Sequence, residues 1–189
     1  MTADTRVDTR LTGCPFPLLP TGPTEMSEQP YLLAEGPWIR IKDGNETALS
    51  LFLRHYTARQ RRKIRQFIGP GEKMPLLTPD ARALFVWRKF IDDCQPPQTG
   101  VNCAVFRNEG SSVGRSSDLI RAAIVEARER WPRERLYTYV DPRKTRHKRD
   151  PGRCFRRAGF RPCGITKSGL VILEIPAPHG ADTPGQETK

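Results

Sequence analysis

The chain has 189 residues, of which 37% are hydrophobic and 28% are charged, a composition suited to one folded domain with tails. No run approaches the roughly 18 consecutive apolar residues of a membrane span. The N-terminus also lacks a signal-peptide layout, so we expect a cytoplasmic protein with no membrane partner. The five cysteines form no CxxC pair, which disfavours a disulfide scaffold and a structural zinc site.

The net charge of +11 is concentrated in the middle of the chain. Residues 1–30 carry a net charge of −2 and residues 176–189 carry −1, so residues 31–175 carry +14. We predict that 1–30 is disordered or loosely packed, because it is proline-rich and aperiodic, and that 176–189 is a flexible tail. A charge excess in the folded part favours a polyanionic partner such as nucleic acid over a merely solvated basic surface.

A strand and a helix open the predicted domain. The strand lies within 31–42, and Asn45 or Thr47 can cap the helix that follows. The apolar face of this helix repeats at helical spacing and consists of Leu49, Phe52, Leu53 and Tyr56.

A hairpin, a further strand and the clearest helix of the chain come next. Segments 74–77 and 84–87 predict a β-hairpin. Segment 101–107 alternates between apolar and other residues, as a half-buried strand does. Ser116 or Ser117 can cap a helix that runs to residue 131.

The predicted domain ends with a strand, a short helix and a strand. The strands lie at 136–140 and 170–175, and the helix opens at Pro151 and stops at Gly159. This order predicts an α+β fold, with a mostly antiparallel central sheet flanked by helices in a single domain over 31–175.

The second half of the domain resembles the GNAT acetyltransferase superfamily. In Pro151-Gly-Arg-Cys-Phe-Arg-Arg-Ala-Gly-Phe160 an aromatic residue precedes a glycine–aromatic pair, as in the late helix of that superfamily. The strand, loop and helix over 101–131 are similar to the element that holds the cofactor pyrophosphate there. The resemblance covers about residues 80–175 and implies a GNAT-like fold.

The loop after strand 101–107 carries our cofactor candidates. A GNAT phosphate loop reads Arg or Gln, two residues, Gly, one residue, then Gly or Ala, and Arg107, Gly110 and Ser112 meet it only in part. The amides at the start of the next helix, with Ser116 and Ser117, still form an anion site. We therefore predict that Arg107, Ser116 and Ser117 bind a phosphate or the group donor, and we do not predict acetyl-CoA.

Several strings, taken in order, look like the Mom family of phage DNA-modification proteins. They are Arg54-His-Tyr56, Phe106-Arg-Asn-Glu109, Arg115-Ser-Ser-Asp-Leu-Ile120, Tyr139-Val-Asp141, Asp150-Pro-Gly-Arg-Cys-Phe155 with Ala158-Gly-Phe160, and Thr166-Lys-Ser-Gly-Leu170. The resemblance implies a GNAT-like transferase, encoded by a phage or prophage. Such an enzyme adds a small group to the exocyclic N6 amine of adenine in double-stranded DNA and so protects that DNA from restriction.

The same resemblance implies that His55, Tyr56 and Asp141 are catalytic and bind iron. Imidazole, phenolate and carboxylate together suit iron. From the residues alone the alternative is that Tyr56 packs in the core while His55 is an exposed helix-end residue. Asp141, placed before Pro142, can equally be a turn-forming aspartate.

Two basic clusters flank these residues in sequence. We predict that both contact phosphates on either side of the target, although a solvated loop is the alternative for each. Their members are Arg59, Arg61, Arg62, Lys63, Arg65, Arg143, Lys144, Arg146, Lys148, Arg149 and Arg153, and further arginines continue the second cluster at Arg156, Arg157 and Arg161. A duplex base must leave the stack to be modified, and Trp87, Phe85 and Tyr139 are candidates to stack on it.

One position departs from the Mom pattern. Where that family often has tyrosine after Asn-Pro-Gly, this chain has Arg153 after Asp150-Pro-Gly152, and an arginine cannot replace a phenol but can bind phosphate. Two other functions therefore stay open: an acetyl-CoA-dependent N-acetyltransferase for a small amine or a protein, and a catalytically inactive GNAT-like protein that binds nucleic acid. A homodimer is compatible with the sequence.

Overall fold

The structure, a computed structural model, describes residues 36–60, 66–90, 98–145 and 150–178, without the side chains of residues 59, 60 and 145. The strands are β1 (Ile39–Arg40), β2 (Glu72–Leu77), β3 (Ala83–Lys89), β4 (Val101–Asn108), β5 (Leu136–Val140), β6 (Arg161–Ile165) and β7 (Val171–Ile175). The helices are α1 (Glu46–Leu53), α2 (Ser116–Arg130) and α3 (Arg153–Arg157), and short 3-10 helices span Tyr56–Gln60 and Pro142–Thr145.

The strands that the structure describes form one seven-stranded sheet in the order β1-β2-β3-β4-β5-β7-β6. Neighbouring strands are antiparallel except β4 and β5, which are parallel and joined by the crossover helix α2. The predicted α+β class and mostly antiparallel sheet are therefore confirmed. Within the described residues, no helix is long and apolar enough to cross a membrane.

The parallel strands β4 and β5 separate after a short pairing. Their register ends at Cys103↔Thr138, although β4 continues to Asn108 and β5 to Val140. The β3–β4 register shifts at the same level, because Val86 pairs with Val105 whereas Trp87 pairs with Cys103. Such a bulge bends a strand and often lies beside a functional site. The alternation of burial predicted for 101–107 is confirmed from Val101 to Phe106, although the bulge places Cys103 and Val105 in different core clusters.

Apolar side chains pack on both faces of the sheet. One cluster joins α2 and α3 to the sheet, and the other joins α1 to it. Phe85 and Trp87 are fully buried in the first cluster, where Trp87 Nε1 donates to the Ala123 carbonyl at 2.7 Å. The suggestion that either ring stacks on a base is wrong, because no solvent reaches them.

Helix α1 buries a different face from the predicted one. Its cap is the predicted Asn45, whose side chain accepts from the Ala48 amide at 3.0 Å. The buried residues are Ala48, Leu51 and Phe52, whereas Leu53 is 44% exposed. Both sets repeat at helical spacing, and packing against the sheet selected between them.

Two further expectations about local structure are wrong. The N-cap of α2 is Arg115, without a side-chain capping bond, rather than Ser116 or Ser117. Strand β6 was not predicted. It is an edge strand whose residues are all exposed, and it contains Pro162 and Gly164, so it lacks the apolar alternation that marks a strand in sequence. Of the predicted terminal segments, only residues 176–178 are described.

Candidate functional site

A cleft of about 870 Å³ opens where β4 and β5 separate. It lies within the range of roughly 300–1,000 Å³ that is typical of small-molecule sites. The lining residues that matter most for chemistry are His55, Tyr56, Arg107, Arg115, Ser116, Ser117, Tyr139 and Arg153. The divergence of the two strands therefore gathers five of the six predicted catalytic and cofactor-binding residues around one space, and Asp141 is the one that does not line it.

His55 and Tyr56 lie side by side at one wall of the cleft. Their ring centroids are 4.2 Å apart. His55 is buried at the end of the Ala48–Leu51–Phe52 face of α1, whereas Tyr56 is half-buried. The alternative in which Tyr56 is the core residue and His55 the exposed one is therefore wrong, since the buried face of α1 continues into His55.

Both side chains are uncharged at neutral pH. Burial, reinforced by the positive charge of Arg107, lowers the pKa of His55 to about 4. Burial also raises the pKa of Tyr56, with further contributions from Cys103 and the Asp141 carboxylate. His55 Nδ1 lies 2.8 Å from the Thr57 hydroxyl, so Nε2 is the nitrogen that remains for a ligand. The cleft thus holds an imidazole and a phenol that can donate and accept hydrogen bonds.

Asp141 lies at the end of β5, buried and close enough to act electrostatically on Tyr56. Its carboxylate accepts from the Arg143 amide at 2.9 Å and from the Arg143 guanidinium at 3.0 and 3.3 Å. These bonds hold the pKa of Asp141 below its usual range. The aspartate therefore does form the predicted turn, while remaining near the histidine–tyrosine pair.

The side chains of His55, Tyr56 and Asp141 are of types that iron accepts as ligands. Imidazole, phenol and carboxylate oxygen are all acceptable ligands. The Asp141 carboxylate is the member that would have to exchange a partner, because Arg143 occupies both of its oxygens. In the described part of the chain, no three His, Cys, Asp or Glu side chains come together as a metal site. The candidate set of His55, Tyr56 and Asp141 is not a group of this composition, because one of its three members is a tyrosine.

The mouth of the cleft is basic. Arg115, Arg153 and Arg157 are exposed and line it. The first amides of α2 lie beside them and have no partner within the helix, because the first turn lacks preceding carbonyls. Ser116 Oγ accepts from the Asn108 side chain at 3.1 Å. The arginines and the helix dipole together favour an anionic group at this end of the cleft.

Arg107 lines the cleft but already has protein partners. Its Nε donates to Glu109 at 2.6 Å, and its Nη1 donates to the Arg54 carbonyl at 2.6 Å. Arg107 therefore has a structural role in the protein, in addition to its predicted role in holding a phosphate.

The loop that precedes α2 binds its own carboxylate. Asp80, in the β2–β3 turn, accepts from the Ser112 amide at 2.8 Å and from the hydroxyls of Ser111 and Ser112. The Asn108 side chain accepts from the amides of Gly110 and Ser111 at 2.9 and 2.8 Å. Side chains of the protein therefore already accept hydrogen bonds from the amides of Gly110, Ser111 and Ser112.

The structure describes only some residues of the two basic clusters. Arg143 and Lys144 are exposed after β5, and Arg153 lies at the cleft. The remaining predicted members lie outside the described residues: the side chain of Arg59, and Arg61, Arg62, Lys63, Arg65, Arg146, Lys148 and Arg149.

One basic cleft residue, Arg115, was missing from the predicted set, whereas Arg157 was expected as part of the continuation of the second basic cluster. Arg115 precedes α2 and belongs to neither basic cluster. Its position next to the N-terminal end of a helix is the signal that could have indicated it. Tyr139, a predicted stacking residue, does line the cleft.

Comparison of the chain with protein-family models, with curated proteins and with solved structures found no match in any of the three.

Proposed function

We propose that this protein is a DNA-modifying enzyme that adds a small group to the exocyclic N6 amine of adenine. The observation that carries the proposal is the combination within one cleft: a neutral histidine–tyrosine pair inside and three exposed arginines at the mouth. This combination supports a substrate with an uncharged polar edge and an anionic backbone, which describes a nucleotide removed from its stack.

The histidine–tyrosine pair suits the edge of adenine. An adenine presents an N–H donor at N6 beside an acceptor at N1, and an imidazole and a phenol can pair with these in either order. A neutral imidazole can present Nε2 as an acceptor to the amine, whereas a protonated imidazole would present only an N–H donor there. The low pKa of His55 and the raised pKa of Tyr56 keep both groups neutral over the whole physiological range.

The mouth of the cleft suits the phosphates that flank the target nucleotide. Arg115 and Arg157 have guanidinium groups that bind phosphate oxygens in a bidentate manner. Arg153 stands where the Mom family often has tyrosine, so in this chain that position would contribute phosphate binding rather than a phenol. Phosphate contacts fix the orientation of the base without reading sequence.

The residues of the chain would act mainly by orientation. With a pKa of about 4, His55 is a weak base at neutral pH, so it would hold the amine through a hydrogen bond rather than remove its proton early. Tyr56 would donate to the base or to the donor group. Tyr139 would pack against the ring.

With iron bound, His55 and Tyr56 would hold the ion in place of their contacts with the base, together with Asp141 once it exchanges Arg143 for the ion. Bound there, it would supply Lewis-acid polarisation of the donor group. The described loop before α2 gives less support to acetyl-CoA, because Asp80 and Asn108 occupy its amides.

Nucleoside analysis of plasmid DNA tests the proposal. The full chain is expressed with a plasmid, the purified DNA is digested, and deoxynucleosides are separated and weighed. We expect a deoxyadenosine of increased mass, which His55→Gln, Tyr56→Phe and Asp141→Asn each abolish. Glu129→Gln is the matched control, because Glu129 is an exposed partner of Arg40 that does not line the cleft.

The alternatives give different results in the same experiment. Unmodified deoxyadenosine from cells that contain folded protein would refute the proposal. Salt-dependent DNA binding without modification would indicate the inactive binding protein. Transfer from acetyl-CoA to an amine in vitro would indicate the N-acetyltransferase.

A further inference from the structure

Three side chains join the end of α1 to the end of β4 beside the cleft. Arg54 donates from Nε and Nη2 to the two oxygens of Glu109 at 2.7 and 2.9 Å. Arg107 donates from Nε to Glu109 Oε1 at 2.6 Å, and its Nη1 donates to the Arg54 carbonyl at 2.6 Å. These four hydrogen bonds join Arg54, Glu109 and Arg107 to one another, and charge-assisted bonds of this kind are short and directional.

We propose that Glu109 is a positioning residue of this site. Its carboxylate holds Arg54 and Arg107 together and so fixes the turn that carries His55 and Tyr56 at the cleft. The activity readout below rests on the proposed function, whereas the two spectroscopic readouts do not.

The need for such a link follows from the local backbone. Helix α1 packs on the sheet through Phe52 and ends at Leu53, and the next 3-10 helix begins at Tyr56. His55 lies between them, where its amide donates to the Phe52 carbonyl at 2.8 Å and its carbonyl accepts from Ala58 at 3.0 Å. The bond from Arg107 to the Arg54 carbonyl connects this turn to the sheet, one residue before His55.

Glu109 is itself well anchored. Its amide donates to the Arg82 carbonyl at 2.9 Å, which ties it to the start of β3. The two arginines lower the pKa of Glu109 to about 2, so the carboxylate stays ionised at any working pH. Its side chain is 29% exposed, so the ion pairs are partly shielded from solvent.

The experiment is an NMR comparison of the full chain with Glu109→Gln, with the signals of the turn assigned by comparison with His55→Gln. We expect the backbone amide signals of His55 and Tyr56 to shift or broaden relative to the wild type. We also expect hydrogen exchange at the amides of His55 and Ala58 to be about tenfold faster, because their bonds within the turn open more often. Modified deoxyadenosine should fall about tenfold or more, since small displacements of reacting groups are costly.

The controls separate positioning from general damage. Glu109→Asp keeps a carboxylate and should recover part of the wild-type amide signals and exchange rates, and Glu129→Gln should change neither. If Glu109→Gln does not fold, the half-exposed Arg54→Gln removes the same hydrogen bonds to Glu109 and should also speed the exchange of His55. Unchanged amide exchange at His55 and Ala58 in Glu109→Gln overturns the proposal. If the wild type modifies no DNA while the NMR results hold, only the proposed function fails.

Discussion

Gly152 provides a sharp test of how α3 is placed at the cleft. It is the N-cap of α3 with φ of 77°, a left-handed conformation that disfavours residues with a side chain. A Cβ there would lie 2.8 Å from Leu173 Cδ1 and 3.2 Å from Val140 Cγ2. Leu173 is fully buried, so it has little room to move.

The expected cost of Gly152→Ala combines two terms. The left-handed backbone costs about 1–2 kcal/mol for a non-glycine residue, and an extra methyl in a packed core costs about 1–3 kcal/mol. The sum is about 2–5 kcal/mol, which corresponds to a fall in melting temperature of roughly 4–20 °C for a domain of this size.

Gly159→Ala is the matched control, because Gly159 has φ of 105° but a Cβ there would meet nothing within 4 Å. It should cost only the backbone term, about 1–2 kcal/mol. Urea unfolding of the two variants, followed by circular dichroism, measures the difference. If Gly159→Ala is as destabilising as Gly152→Ala, the described packing of α3 against β5 and β7 is wrong.

Three further predictions concern acid stability, capping and DNA affinity. His55 has a folded pKa of about 4, below the ordinary 6.5. Its contribution to the free energy of unfolding is therefore complete above pH 6.5 and is lost as the pH falls toward 4. The loss amounts to about 3 kcal/mol, and urea unfolding at pH 7 and 4.5 should show a shallower pH dependence for His55→Gln; equal slopes would contradict this. Asn45→Ala should destabilise the fold by about 1 kcal/mol through loss of the α1 cap, against no measurable change for the exposed Ser50→Ala. Arg115→Gln and Arg157→Gln should each reduce the slope of log affinity for DNA against log salt by about 1; an unchanged slope in filter-binding assays would remove these residues from the phosphate contacts.

Local patterns were enough to determine most of the elements. The apolar run 84–87 after a turn, the β-branched and aromatic run in 136–140, and the helical spacing of Leu119, Ile120 and Ala123 predicted β3, β5 and α2 with nearly the observed bounds. Asn45 marked the start of α1. Each of these signals lies within a few residues of the structure it specifies, because caps, turns and periodicity are short-range effects.

Local sequence patterns predicted only part of the candidate site. His55, Tyr56 and Arg153 were named from local strings, and all three line the cleft. Arg157 was named only as part of a basic run and Arg115 was not named as a site residue, because their shared position comes from the loop and helix ends that the β4–β5 divergence brings to one place. The partners of Asp80 and Glu109 were equally hidden, since the residues they bind lie 31 and 55 positions away.

The sequence by itself therefore determined the α+β composition, the order of the main elements, and the basic character of the folded part. The tertiary structure decided which face of α1 is buried, that β6 forms an edge strand, where β4 bulges, and which side chains meet in the cleft. The physical reason is that two apolar faces of α1 satisfy the same periodicity, so only packing against β3 and β4 chooses between them. That choice placed His55 in the protein interior and left Tyr56 at its edge.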